Sequence, residues 1–204
     1  MAGGLRAALE RAQRLGFLGP GPLDEQLAHA DAFIALLGSP SDSFLDLGSG
    51  GGLPGLALAL AWPAAHGMLL DANHRRGAHL ERACAELGIA DRVDVLVGRA
   101  EDAAHDTRWR GEFPLVVARA FGPPAVTAEC AVGFLRPGGR VAVSEPPGGD
   151  PSRWPAEGLA RLGLVGPEIL AGPEASIAVL RRADALEPRW PRRQGVPGRR
   201  PLWR

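Results

Sequence analysis

Apolar residues recur at two different periods along this chain, and the change of period marks its organisation. Up to residue 37 the spacing is helical. Leu5, Ala8, Leu9, Ala12 and Leu15 share one face of a segment over 5–15 that Gly16 ends. Leu23, Leu27, Ala30, Phe33, Ile34 and Leu37 do the same over 22–37, after a Gly19-Pro-Gly-Pro22 turn. Beyond the loop at 38–43, short apolar runs predict strands at 43–47, 67–71, 93–97, 114–118, 139–144, 164–169 and 175–181. Helical stretches at about 54–61, 73–87, 123–134 and 151–162 separate them, the second opened by Asn73 as N-cap and stopped by Gly88. Apolar strands alternating with crossover helices predict an α/β fold, a mostly parallel seven-stranded sheet with helices on both faces. Only 171–175 separates the last two strands, too little for a crossover, so an antiparallel strand is expected at that edge. The organisation expected is an N-terminal helical segment over 1–38, a core over 39–182 and a tail over 183–204.

A chain of 204 residues suits one domain with short appendages. It holds no apolar run long enough to span a bilayer and opens with no basic-then-apolar leader, so a non-membrane, cytoplasmic protein is expected. Cys84 and Cys130 fall in apolar helical surroundings without metal-ligand spacing, which reads as two buried thiols in a reducing compartment and no metal site. The formal net charge of zero hides an asymmetry. Residues 181–204 carry eight Arg against Asp184 and Glu187, a net of +6. Such a tail either neutralises phosphates or is a solvated end.

The most specific chemistry lies in Phe44-Leu-Asp-Leu-Gly-Ser-Gly-Gly-Gly-Leu-Pro-Gly55, where an apolar strand delivers Asp46 into a glycine-rich turn and a helix. Without Cβ atoms, such a turn lets a ligand lie against backbone, with the first amides of the helix expected to point at it. Gly50, Gly52 and Gly55 also satisfy the dinucleotide pattern, but Asp46 would repel a pyrophosphate and attract the ammonium and sulfonium of S-adenosyl-L-methionine. Ligands of such sheets lie at the carboxyl ends of the strands. Asp71, ending the second strand, can accept hydrogen bonds from ribose hydroxyls. Ala100 and Glu101, after the third, can face an adenine, although Glu101 and Asp102 equally suit a helix N-terminus. Arg119, after the fourth, borders cofactor and substrate, or forms a structural ion pair.

Taken in order, Leu45-Asp-Leu-Gly-Ser-Gly-Gly-Gly-Leu-Pro-Gly55, Leu70-Asp71, Gly98-Arg-Ala-Glu101 and Ala118-Arg-Ala-Phe121 resemble the bacterial small-subunit ribosomal RNA guanine-N7 methyltransferases, the RsmG or GidB family. Gly16-Phe-Leu-Gly-Pro20 and the tail from Trp190 to Leu202 are similar to that family as well. The resemblance implies a class I Rossmann-like methyltransferase that uses S-adenosyl-L-methionine and acts on 16S RNA of the small ribosomal subunit. It implies cofactor contacts at Gly48, Leu53, Ala100, Glu101 and Arg119, to which the strand-end reading adds Asp46, Ser49, Gly50 and Asp71. Arg192, Arg193, Arg199 and Arg200 are expected to anchor RNA backbone, and deletion of 189–204 is expected to weaken RNA binding without abolishing cofactor affinity. No catalytic base is expected, because guanine N7 offers a lone pair and carries no proton. The Asp/Asn-Pro-Pro-aromatic motif of enzymes that methylate exocyclic amines is missing after the fourth strand. The chain departs from the family at Glu145-Pro146, where the family has Lys-Gly; an anion at an RNA face would weaken RNA binding. That departure leaves two other readings: a methyltransferase for another RNA or a small molecule, and a cofactor-binding paralogue without turnover.

Overall fold

The computed structural model describes residues 2–40 and 42–204. Two helices, α1 (Ala2–Arg14) and α2 (Leu23–Leu37), precede the sheet. Then follow β1 (Ser43–Leu47), α3 (Gly55–Ala61), β2 (His66–Asp71), α4 (His74–Leu87), β3 (Val93–Val97) and the single turn α5 (Ala100–Ala103). The second half continues with β4 (Phe113–Ala118), α6 (Pro124–Val132), β5 (Leu135–Glu145), α7 (Ala156–Ala160), β6 (Leu164–Ala171) and β7 (Ser176–Arg182). A last turn, α8, covers Val196–Arg199.

The seven strands form one sheet in the order β3-β2-β1-β4-β5-β7-β6. β1 to β5 pair in parallel, and β7 is antiparallel to both β5 and β6. The antiparallel strand thus sits one place in from the edge that β6 forms. The tight Gly172–Ala175 turn allows this, because a hairpin must lay its strands side by side. The strand order reverses between β1 and β4, the position where an open α/β sheet leaves a crevice at its carboxyl edge.

Period-two alternation sends neighbouring residues to opposite faces. Phe44, Leu69, Leu115, Val117 and Ile177 pack under α1 to α4. Leu45, Leu70, Val116 and Val141 pack with Phe134, Leu159 and Trp190 on the other face. Asn73 caps α4 as expected, its side chain accepting from the amides of Arg75 and Arg76, and Gly88 ends it in the left-handed conformation. The helix expected over 151–162 is broken instead: a 3-10 turn at Pro151–Arg153 gives way to α7. Pro155 is the cause, because the residue before a proline is pushed out of the helical region, and Trp154 lies at φ −123°, ψ 66°.

The tail is anchored to the core, although many of its residues stay exposed. Trp190 and Pro197 are buried, and Arg192 closes an ion pair on Glu129 of α6, whose side chain has no exposure at all. The stretch after β7 therefore completes the second face of the sheet.

Candidate functional site

The ends of β1, β2, β3 and β4 carry two hollows that meet at Gly48. The larger, about 490 Å³, lies between the glycine turn, the 17–21 loop, Gln26, Arg76 and Arg119. The smaller, about 50 Å³, is lined by Asp71, Ala72, Gly98 to Glu101 and Phe121. Gly48, Ser49, Gly50, Leu53 and Arg119 thus fall on the first, and Asp71, Ala100 and Glu101 on the second.

The first amides of α3 do not point at a ligand, contrary to expectation, and several amides of the glycine turn itself are spent inside the protein. Those of Gly48 and Ser49 donate to Leu70 O at 2.8 and 2.9 Å, Gly50 N to Asp71 Oδ2 at 2.9 Å, and Gly52 N to Ser49 O at 2.8 Å. Gly55 N, at the start of α3, donates to Asp46 Oδ2 at 3.0 Å. With these donors committed, the turn keeps little of the amide cradle that a pyrophosphate requires. The glycines themselves answer to protein neighbours. A Cβ on Gly48 would stand 2.6 Å from the Phe121 ring, and one on Gly51 2.8 Å from Leu18 Cβ. One on Gly55 would stand 2.5 Å from Asp46 Oδ2.

Asp46 therefore lies behind the turn, 1 % exposed, and lines neither hollow. Its Oδ1 is buried without a hydrogen-bond partner among the described residues. Burial drives its carboxyl up to about 7, against the pull of the Gly55 amide and Ser49, with Asp71 adding to the rise and Arg119 opposing it. Asp71 is itself engaged: Oδ1 accepts from Asn73 N at 2.9 Å, and Oδ2 is 3.6 Å from Arg76 Nη1. Ser49 Oγ donates to Asp46 O at 3.0 Å and is structural in that bond.

Ala120 is the one non-glycine residue with positive φ among those described, at 53°. The left-handed turn throws Arg119 into the larger hollow and lays Phe121 across Gly48. Arg119 Nη2 donates to Gln26 Oε1 at 3.5 Å, while Nη1 has no partner among the described residues. Burial lowers its pKa, partly offset by Asp46. One helical turn on from Gln26, His29 Nε2 lies 3.0 Å from Ser144 Oγ, and its pKa is lowered by burial and then by Arg119.

Glu101 sits in the first turn of α5, 3 % exposed. Its Oε1 accepts from Gly195 N of the tail at 2.9 Å and from Arg99 Nη2 at 3.1 Å. Burial alone would raise its pKa, but the Gly195 amide, its own amide and Arg99 outweigh that and lower it. Of the four tail arginines, Arg193, Arg199 and Arg200 are exposed. Arg192 is not available in the same way. Its Nε and Nη2 hold Glu129 at 2.7 and 2.6 Å, because a fully buried carboxylate must keep a cation.

Glu145 also departs from expectation. It is no anion on an outer face: its side chain is 1 % exposed and accepts from Arg153 Nη1 and, at 3.1 Å, from Trp154 Nε1. Sequence reasoning passed over Phe17, Leu18, Gln26 and Arg76, which line the larger hollow. Gln26 carried a signal, being a polar residue at the i−4 position of the Ala30, Phe33, Leu37 stripe.

Comparison with known proteins adds to this geometry. A family model described as rRNA small subunit methyltransferase G matches residues 26–144. A protein of Parasynechococcus marenigrum (strain WH8102), Ribosomal RNA small subunit methyltransferase G, is 38 % identical over 175 residues, 81 % of this chain and 71 % of the relative. Its namesake in Synechococcus sp. (strain CC9902) is 45 % identical over 97 residues, 48 % of this chain but 40 % of the relative. Among solved structures, an RNA methyltransferase from Salinibacter ruber in complex with S-adenosyl-L-homocysteine superposes with a TM-score of 0.59. At 17 % identity, over 83 % of this chain and 97 % of the other, that is a likeness of fold.

Proposed function

Because this chain belongs to the rRNA small subunit methyltransferase G family, we infer that it methylates N7 of a guanine in 16S ribosomal RNA of the small subunit, in the cytoplasm, using S-adenosyl-L-methionine. The observation that carries the cofactor reading is the pairing of spent turn amides with a buried, incompletely partnered Asp46. The turn has few backbone amides to spare for a pyrophosphate and a carboxylate behind it, which suits a cation, and the spare side-chain donor on the same hollow is Arg119 Nη1. S-adenosyl-L-methionine, when bound, supplies an electrophilic methyl on a positively charged sulfur.

The chain's own residues then bind and orient. Gly48, Ser49, Gly50 and Leu53 form the wall along the larger hollow, while Asp71, Ala100 and Glu101 receive the nucleoside end in the smaller one. Asp46 contributes its charge from beneath the turn. Arg119 stands where cofactor and guanine meet. Guanine N7 presents an in-plane lone pair and no proton, so no side chain is asked to act as a base. Catalysis is then a matter of alignment and exclusion of water, for which the 17–21 loop and Phe121 provide cover. On the RNA side, Arg193, Arg199 and Arg200 are the phosphate contacts, and Arg192 supports them by holding the tail to α6.

The test is incubation of the purified protein with labelled S-adenosyl-L-methionine and small subunits from a strain lacking this gene, followed by mapping of N7-methylguanine. A single modified guanine in 16S RNA is the expected result. Bound cofactor with no methyl on RNA would move the weight to a paralogue with another substrate or none.

A further inference from the structure

A buried amide is one of the links between the N-terminal helices and the sheet's carboxyl edge. Gln26, 8 % exposed at the start of α2, donates from Nε2 to Gly19 O at 2.9 Å and to Gly21 O at 3.1 Å. Its Oε1 accepts from Arg119 Nη2. The orientation of the amide is dictated on both sides: carbonyls require its NH2, and a guanidinium requires its oxygen. A second amide doubles the first bond set. Gln13 Nε2, from α1, donates to the same two carbonyls at 2.8 and 2.7 Å. The loop so held lies on the glycine turn, with Phe17 O 3.1 Å and Leu18 Cβ 2.8 Å from where a Gly51 Cβ would be.

Resting on the reading of this cleft as the methyl-transfer site, we propose that Gln26 is a positioning residue that ties the 17–21 loop and the Arg119 guanidinium together over the cleft. Nothing else among the described residues hydrogen-bonds Arg119 side-chain nitrogens, and its long side chain has several rotamers to choose from. Gln26 selects the one that stands beside the glycine turn. The same residue sets the height of the roof through Gly19 and Gly21. The N-terminal segment thereby belongs to the active cleft rather than to a separate module.

The two halves of the amide can be separated. Gln26→Met removes both the acceptor for Arg119 and the donors to the loop. Gln26→Glu keeps an acceptor for Arg119, while its second oxygen is repelled by the Gly19 and Gly21 carbonyls and must turn away, leaving them to Gln13. Gln13→Met loosens the loop and leaves the partner of Arg119 in place. On small subunits, Gln26→Met is expected to lower kcat about tenfold to a hundredfold with KM changed by less than about threefold, the cost of a misplaced group at an alignment-driven site. Gln26→Glu should recover most of that loss, and Gln13→Met should cost less than Gln26→Met. Equal losses in the Met and Glu variants at unchanged thermal midpoints would overturn the proposal, as would a Gln26→Met enzyme with full kcat. If Gln26→Met does not fold, Gln26→Asn replaces it; one methylene shorter, it cannot span both partners and is expected to lose kcat likewise, while full kcat would again refute the role. Should the wild-type protein transfer no methyl to small subunits, the proposed substrate fails on its own. Calorimetry with S-adenosyl-L-methionine still decides Gln26: about tenfold weaker binding in Gln26→Met with recovery in Gln26→Glu, or no difference and the role is lost.

Discussion

Asp46 shows how much a single residue's surroundings change its chemistry. Its carboxyl is pushed up to about 7, first by burial, whereas an unfolded aspartate titrates near ~3.9. Between those values the folded chain holds a proton that the unfolded chain has released. Unfolding therefore becomes easier as pH rises from about 4 to about 7, and the penalty is complete above that. Denaturant melts from pH 4 to 8 should show this decline in the ligand-free wild type and a flatter profile in Asp46→Asn. A cationic ligand beside the turn favours the ionised form. Affinity for S-adenosyl-L-methionine is thus expected to rise through pH 7 in the wild type and not in Asp46→Asn, as read by calorimetry in buffers of different ionisation enthalpy. Ala120 is the second residue whose conformation matters. At φ 53° it stores strain that glycine would relieve, while glycine's freer unfolded chain takes back a similar amount. Ala120→Gly should keep stability within about 0.5 kcal/mol, and Ala120→Val should cost about 1–3 kcal/mol in urea unfolding, because a β-branched side chain resists positive φ.

Elements are held in place by buried ion pairs at two points, and both involve residues whose type looked functional. Glu145 ends β5 and anchors the 3-10 turn before α7 through Arg153 and Trp154. A lysine there would face Arg153 in a dry setting. Glu145→Lys is expected to lower stability by about 3–5 kcal/mol, with no gain in RNA affinity. A stable, tighter-binding Glu145→Lys protein would show instead that this position faces RNA. Glu129 is the counterpart on α6, where Arg192 and the amide of Arg192 both reach Oε1. The helix that this carboxylate belongs to carries the tail with it.

For the whole molecule, the tail joins the carboxyl edge of the sheet to the chain's basic C-terminal residues. Gly195 donates to Glu101, and the guanidinium groups of Arg189 and Arg192 lie over the Trp190 ring, 4.7 and 5.9 Å from its centroid. Removal of 189–204 strands Glu129 and leaves Glu101 with Arg99 in place of both partners. Cofactor affinity is therefore expected to fall along with RNA binding. The RNA contribution is better isolated by Arg193→Ala, Arg199→Ala and Arg200→Ala together. Filter binding across a salt series should give a slope of log K against log salt smaller by about 2 to 3, with unchanged S-adenosyl-L-methionine affinity. An unchanged slope would place the RNA elsewhere on the surface.

Strand and helix positions were legible from the sequence because burial on two faces forces apolar periodicity, and that periodicity is local. The glycine turn, the acids at the strand ends and Arg119 were legible because a parallel sheet exposes its ligands only at its carboxyl edge. What each polar group does was not legible, since a carboxylate's role depends on its partners, and those come from distant parts of the chain. Asp71 takes the amide of Gly50, Glu129 takes Arg192 from 63 residues on, and Gln26 reaches Arg119 across 93. Local pattern thus determined the sheet, its edge and the kind of site there. The tertiary structure alone decided which charges are spent inside the fold and which remain uncommitted, because a buried charge is retained only where the fold brings it a partner.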